Sequence, residues 1–331
     1  MLKAAIVGAG YIAGSHADAY RAHPNIELSL TFDDVGSKAT ALAAQFGGRA
    51  AHTFDQVLDS DVDLVSVCTP SPTHADLAIA ALTAGKSVLC EKPIARTLVD
   101  ARRMVAAAKS TGGLLMVGHV SRFEPDHRAA RDAIAAGNIG TVRMMSQSLT
   151  SSFPGWSQNG WLADTAQSGG PLLDLGVHSF DFLNWISGGR PIRVHAVGSA
   201  RADGLIDYAL TTIRYDNGAM GVVETGWAHP ENAGLSVATE IAGTSGRLSW
   251  DYSGISVGSL HTRSGRSQQF SPLGARGFRS EIAAFAQAVR NCSPSPVPAV
   301  EAELAAQVSL AALQSIESGA MVDLTPLEDL P

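Results

Sequence analysis

The sequence predicts an α/β protein in two parts: a doubly wound parallel sheet first, then an α+β domain on a mainly antiparallel sheet. Three observations predict it. From Leu2 to Val117 short apolar runs alternate with helix-length segments, the rhythm of a parallel sheet with helices on both faces. A glycine turn, Gly8-x-Gly10-x-x-Ala13, joins the first run to the first helix. From about Arg122 onward, strand-like runs follow one another with tight turns between them, as antiparallel strands do. The domains are expected at residues 1–120 and 121–331.

Ala4 to Val7 is too short for a helix and ends at glycine, so it reads as a buried strand. Gly8 allows the tight turn, Gly10 removes a Cβ that would block a pyrophosphate, and Ala13 lets the next helix pack closely. The free N–H groups and positive end of that helix favour a phosphate. Glycine also serves such turns for steric reasons alone; its place between strand and helix carries the dinucleotide reading. Ile12 to His23 is the first helix, stopped by Pro24, and Ile26 to Phe32 the second strand, ending at Asp33-Asp34. A carboxylate there suits ribose hydroxyls and repels a 2′-phosphate, which favours NAD. Lys38 nearby leaves NADP open, and an aspartate capping the next helix is the competing reading.

Leu64 to Cys68 is a further strand, followed by Thr69-Pro70-Ser71-Pro72-Thr73-His74. Thr73 and Asp76 have capping-box spacing for a helix running to about Ala84. Ser87 to Cys90 is a strand leading into Glu91-Lys92-Pro93, Thr97 to Ser110 a helix ended by Gly112-Gly113, and Leu114 to Val117 the next strand. Gly8, Asp33, Thr69, Glu91 and Gly118 thus fall at the carboxyl ends of strands, where ligands of open α/β sheets bind.

In the second half, Pro125 to Ala136 reads as a helix and Leu172 to Ile186 as another. Strands are expected at Arg193–Ser199, Asp207–Tyr215, Met220–Trp227, Leu235–Ala242 and Arg247–Tyr252, with Asp216-Asn217-Gly218 a hairpin turn. Phe278 to Arg290 and Val300 to Ser318 are amphipathic helices, and Val322 to Leu324 is a last short strand.

Composition excludes several classes. A net charge of −7 argues against a nucleic-acid partner. No apolar run approaches the roughly 18 residues of a membrane span, and the chain opens directly on a strand, so the cytoplasm is the expected location. Cys68, Cys90 and Cys292 are odd in number and unrelated in spacing and make neither a disulfide framework nor a metal pattern; Cys68 and Cys90, each ending an apolar run, read as small hydrophobes in strands.

Two stretches carry reactive groups. Lys92, at the end of a strand, can donate hydrogen bonds to a substrate oxygen and stabilise charge developing there; a surface loop lysine is the alternative. Asp174 and His178 are four apart and share one face of a helix, where an acid/base histidine could have a carboxylate beside it. An i, i+4 ion pair is the alternative, and no metal is expected, because two ligands without a third do not make a site.

With these residues in order, the chain resembles the Gfo/Idh/MocA family of nicotinamide-dependent oxidoreductases over nearly its full length. The resemblance rests on the glycine turn, Asp33, Thr69-Pro70…His74, Glu91-Lys92-Pro93, Gly118-His119…Arg122-Phe123…Pro125, the Gly169 to His178 stretch and Gly243-Thr244…Gly246. Ser168-Gly169-Gly170-Pro171 departs slightly, since many relatives carry three glycines. It implies a Rossmann domain followed by a domain with a large open antiparallel sheet, whose face commonly makes dimer or tetramer contacts; a homodimer or homotetramer is expected. It implies that Lys92, Asp174 and His178 form the catalytic group and that Lys92–Pro93 is cis. Cofactor contacts are expected from Gly8, Gly10, Tyr11, Ile12, Asp33, Thr69, Pro70, Ser71, His74, Glu91 and Lys92. Substrate contacts are expected from Lys92, His119, Arg122, Trp161, Asp174 and His178, with Trp156 and Trp227 as further stacking surfaces. The implied reaction moves a hydride between NAD and a secondary hydroxyl of a sugar, sugar derivative or inositol-like polyol. An NAD-dependent glycosidase and a non-catalytic dinucleotide or sugar sensor are the rival classes.

Overall fold

The computed structural model describes all residues except Trp156, 202–203, Asn232, 252–257, Arg266, 271–276 and 328–331. In chain order the first elements are β1 (Leu2–Val7), α1 (Tyr11–Ala22), β2 (Ile26–Phe32), α2 (Gly36–Phe46), β3 (Arg49–Ala50) and α3 (Phe54–Leu58). There follow β4 (Leu64–Val67), α4 (His74–Thr83), β5 (Ser87–Glu91), α5 (Leu98–Thr111) and β6 (Leu115–Gly118). Next come α6 (Pro125–Ala135), β7 (Val142–Ser152), α7 (Thr165–Ser168), α8 (Gly170–Asp174) and α9 (Gly176–Ser187). Strands β8 (Pro191–Ala200), β9 (Ile206–Tyr215), β10 (Met220–His229), β11 (Ser236–Gly243) and β12 (Gly246–Asp251) lead to β13 (Gly258–Thr262) and β14 (Ser267–Phe270). The chain ends with α10 (Gly277–Arg290), α11 (Ala299–Ser318) and β15 (Val322–Asp323).

Two compact units result. The first holds Met1–Phe123, Ser157–Trp161 and Ala275–Glu303. Its sheet has the order β3-β2-β1-β4-β5-β6, and every pair is parallel. This is the doubly wound order, whose direction reverses between β1 and β4 and leaves a crevice at their carboxyl ends. Strands β1, β4 and β5 are buried along nearly their whole length, as continuous apolar runs covered on both faces must be. The core joins Ile6, Tyr20, Leu64 and Leu89 to Ile282 and Phe285 of α10. Helix α10 packs on α1, where Arg279 pairs with Asp18 at 2.9 Å.

The second unit holds Glu124–Trp156, Leu162–Gly274 and Leu304–Pro331. Its nine-stranded sheet has the order β14-β13-β12-β11-β7-β10-β9-β8-β15. All pairs are antiparallel except β7 with β10. Helices α6, α9 and α11 cover one face, with Phe180, Leu183, Ile186 and Val308 buried against Val194, Ile213, Val223 and Ile241. The expected hairpin joins β9 to β10, closed by Gly218 N–H on Tyr215 O at 3.0 Å. Two expectations change. Residues 172–186 are not one helix but α8 and α9, interrupted at Leu175, and the capping box at Thr73 does not form.

Candidate active site

The glycine turn is built as its composition requires. Gly8 has φ +91°, and a Cβ there would lie 2.8 Å from the backbone of Cys68, so only glycine turns the chain this close to β4. Gly10 is the N-cap of α1; no side chain caps it and no acid stands in the first turn. A Cβ on Gly10 would meet no atom within 4 Å. Uncapped N–H groups beside that open approach fit a dinucleotide pyrophosphate. Asp33 Oδ2 accepts from Ala9 N–H and Oδ1 from Val35 N–H, both at 2.8 Å. The carboxylate at the end of β2 is thereby braced into the turn, whereas Asp34 points to solvent. Tyr11 is 70% exposed at the start of α1, and Pro70 and Ser71 enter a 3₁₀ turn after β4.

Lys92 follows β5 directly, half-buried, and Lys92–Pro93 is cis. Its neighbours are tightly held. Glu91 Oε1 accepts from His16 Nε2 at 2.9 Å, and Glu91 Oε2 faces the Lys92 N–H at 3.2 Å. His16 Nδ1 meets Ser66 Oγ at 3.0 Å, and Ser66 in turn meets the Tyr20 hydroxyl at 2.6 Å. Burial opposes charge on His16, but contacts with Cys68 and Glu91 outweigh it and push the pKa up to about 10. Burial also raises the Cys68 pKa, with His16 pulling it back, and Glu91 is the carboxylate within hydrogen-bond distance of the ring. Burial opposes charge on Glu91 too, yet His16, Lys92 and His74 together bring its pKa below the usual value. A buried pair of this kind is held by mutual need, since neither charge is tolerated alone.

Glu281 of α10 joins the cluster, its carboxylate lying within 4.8 Å of the ligand atoms of His16 and Glu91. The His16–Glu91 separation is that of a hydrogen bond, and we read the three groups as one buried polar knot with His16 and Glu91 as its ion pair. The sequence did not single out His16, and nothing near it pointed to Glu91 or Glu281. Gly118 completes the fit: a Cβ there would press on Glu91 Oε1 at 3.1 Å.

Thr73 does not cap α4. Its hydroxyl turns back to Pro70 O at 2.8 Å and Thr69 Oγ1 at 2.7 Å, because the 3₁₀ turn Ser71–Thr73 brings those atoms closer than the helix start. His74, 1% exposed, uses both ring nitrogens on main-chain carbonyls: Nδ1 on Pro93 O at 2.9 Å, Nε2 on Thr69 O at 2.8 Å. His119 is fully buried. Arg122 is 4% exposed and pairs with Glu301 of α11. Trp161 is half-buried in a 3₁₀ turn at Gln158–Ala163.

In the second unit, Gly169 and Gly170 both have positive φ, +74° and +66°, conformations that close α7 and open α8 and that favour glycine. Asp174 is the last residue of α8 and His178 lies in the first turn of α9, with Leu175 between the helices. They remain near in sequence, but on two short helices rather than one continuous face. Both are half-buried, while Gly176, Val177, Ser179 and Phe180 around them are buried. Trp227 is 3% exposed and edge-on to Phe153, a core position. Trp156 lies outside the described residues.

Residues 2–119 match the family described as "Oxidoreductase family, NAD-binding Rossmann fold", and residues 127–249 match the "GFO/IDH/MocA C-terminal domain". The chain belongs to the Gfo/Idh/MocA family of oxidoreductases. This NAD-binding oxidoreductase is 26% identical to myo-inositol 2-dehydrogenase of Thermotoga maritima over 98% of both chains. It is 29% identical to trans-1,2-dihydrobenzene-1,2-diol dehydrogenase of Bos taurus over 93% of this chain and 94% of the relative. Among solved structures it is similar to GenD2 from gentamicin A biosynthesis in complex with NAD, with TM-score 0.86 and 27% identity over 98% and 97% of the two chains. Among the described residues no helix is long and apolar enough to cross a membrane.

Proposed function

We propose that this oxidoreductase interconverts a secondary hydroxyl of a sugar, sugar derivative or cyclic polyol with the corresponding ketone. The observation that carries the reading is Lys92 at the carboxyl end of β5, on the same sheet as the dinucleotide turn, with its neighbours held by buried histidines. The similarity to inositol and diol dehydrogenases supports the substrate class. When bound, NAD supplies the hydride acceptor. Lys92 donates a hydrogen bond to the reacting oxygen and stabilises charge developing there. His178 takes the hydroxyl proton as general base, and Asp174 orients it or a neighbouring hydroxyl. We place the enzyme in the cytoplasm. We also propose that it works as a homodimer or homotetramer through the sheet face opposite the helices, where Val197, Leu210 and Met220 are exposed.

The test is a spectrophotometric screen of inositols, aldoses and their acid and deoxy derivatives, with NAD⁺ and NADP⁺ run separately. Absorbance growing with one polyol and NAD⁺ is the expected result. Silence across the panel, with NAD binding shown independently, would move weight to a substrate outside it, to the glycosidase or to the sensor. With the active substrate, Lys92→Ala should lower kcat by about 100-fold or more and leave NAD affinity within about twofold. Unchanged kcat would remove Lys92 from the mechanism.

A further inference from the structure

The residues on either side of Lys92 are each held by a buried histidine, and the two histidines differ in what they face. His16 Nδ1 meets a serine hydroxyl, a group that both donates and accepts, so His16 needs only one ring proton for its two contacts. His74 has no such latitude. Its two nitrogens face the carbonyls of Pro93 and Thr69 at 2.9 and 2.8 Å, and a carbonyl oxygen only accepts. A neutral imidazole carries one N–H and one lone pair. One of these contacts would then set lone pair against lone pair in a site 1% exposed. Only the imidazolium satisfies both.

We propose that His74 is a positioning residue for Lys92: as a doubly protonated clamp it ties the loop after β4 to the Pro93 carbonyl and so fixes the backbone that carries the lysine. This rests on the proposed role of Lys92 for its catalytic meaning, but not for the protonation itself. The groups that face the ring set when the clamp closes. Glu91 at the end of β5 favours the cation, as do the two carbonyls; burial and the Lys92 ammonium oppose it, and the balance lies below the usual histidine value. β4 and the 3₁₀ turn Ser71–Thr73 carry no charged side chain, and the Cys68 and Cys90 thiols are pushed up by burial. Asp76 of α4 pairs with Arg103 of α5, which also pairs with Asp100, and Arg102 turns to Glu303. The clamp therefore holds both carbonyls on the acid side of its midpoint and gives one up as pH rises.

The test uses the full-length protein labelled with ¹⁵N, the His74 ring signals being assigned by their loss in His74→Gln. Expected is a ring with both nitrogens protonated at acid pH, losing one proton in a single step below pH 6.5, with the Lys92 backbone amide shifting at the same midpoint. In His74→Gln, which keeps one donor nitrogen and cannot titrate, that amide should lose its pH response. With the substrate found in the screen, and at a pH below the ring's midpoint, His74→Gln should lower kcat about tenfold and His74→Phe further, both leaving NAD affinity within about twofold. A ring that stays a neutral tautomer until the protein unfolds would overturn the clamp, as would a Lys92 amide indifferent to its protonation or full kcat in both folded variants. The spectroscopic arm needs no turnover. Absence of dehydrogenase activity would count against the proposed function, and the ring's protonation would still decide the clamp.

Discussion

Lys92 could be picked out from the sequence because an ionisable residue at the carboxyl end of a buried strand stands where ligands of such sheets bind. What holds it could not. His16 lies 75 positions from Glu91 in sequence, and only the folded sheet brings the imidazole of α1 against the carboxylate at the end of β5. Removing one partner of a buried ion pair leaves the other charge uncompensated, so His16→Ala should cost about 3–5 kcal/mol, read by denaturant unfolding. The His16 pKa is raised from 6.5 to about 10. Its contribution is full below pH 6.5 and is lost as pH rises through 10. The wild-type Tm should fall between pH 7 and 10 more steeply than that of His16→Gln. Parallel profiles would show that His16 carries no charge in the fold. His74 was expected to touch the cofactor; its residue type and place in the Thr69–His74 stretch were legible, but its two carbonyl partners depend on a turn no spacing rule describes.

The short elements show where pattern reading succeeds and where it fails. Strands β1, β2, β4 and β5 and helix α5 were legible because each pairs a plain apolar period with a clear stop, and Thr97 caps α5 by accepting from Asp100 N–H at 3.1 Å. The break at Leu175 was not legible, since residues 172–186 keep helical periodicity across it; the two left-handed glycines upstream set the direction of α8 independently of α9. The glycine turn yields a paired prediction. Gly8→Ala places a side chain at φ +91° against the β4 backbone and should destabilise the first unit by roughly 1–3 kcal/mol or more. Gly10→Ser meets no atom and keeps a good N-cap; its Tm should be unchanged while NAD affinity falls at least tenfold. Equal affinity in Gly10→Ser, measured by titration calorimetry, would contradict the pyrophosphate position. In the second unit, His127 of α6 lies edge-on to Phe182 at 4.3 Å and accepts from the Gln147 amide at 3.3 Å. Burial, only partly countered by Asp181, lowers its pKa from 6.5 to about 4. The folded state binds this proton more weakly, so stability present above pH 6.5 is lost as pH falls through 4, on the order of 3 kcal/mol. His127→Leu should flatten that acid limb in a pH series of Tm values; an unchanged limb would place the acid sensitivity elsewhere.

At the scale of the whole molecule, residues 275–303 return to the first unit although they follow eight of the nine strands of the second sheet in sequence. Amphipathic periodicity identified α10 as a helix with one apolar face, but periodicity does not say which core that face enters. Phe285 is fully buried with Ile6, Tyr20 and Leu89. Phe285→Ala should therefore cost about 3–5 kcal/mol and lower the Tm of the transition that added NAD raises; a loss confined to a transition indifferent to NAD would contradict the packing. Residue type and short-range spacing were enough for the class of fold, the dinucleotide turn, the acid after β2 and the candidates Lys92, Asp174 and His178. Tertiary structure alone decided the His16–Glu91–Glu281 knot, the two-carbonyl grip of His74, the pairing of Arg122 with Glu301 and the place of α10. Each joins groups distant in the chain, and a hydrogen bond or an ion pair is fixed by separation in space, which residue order does not encode.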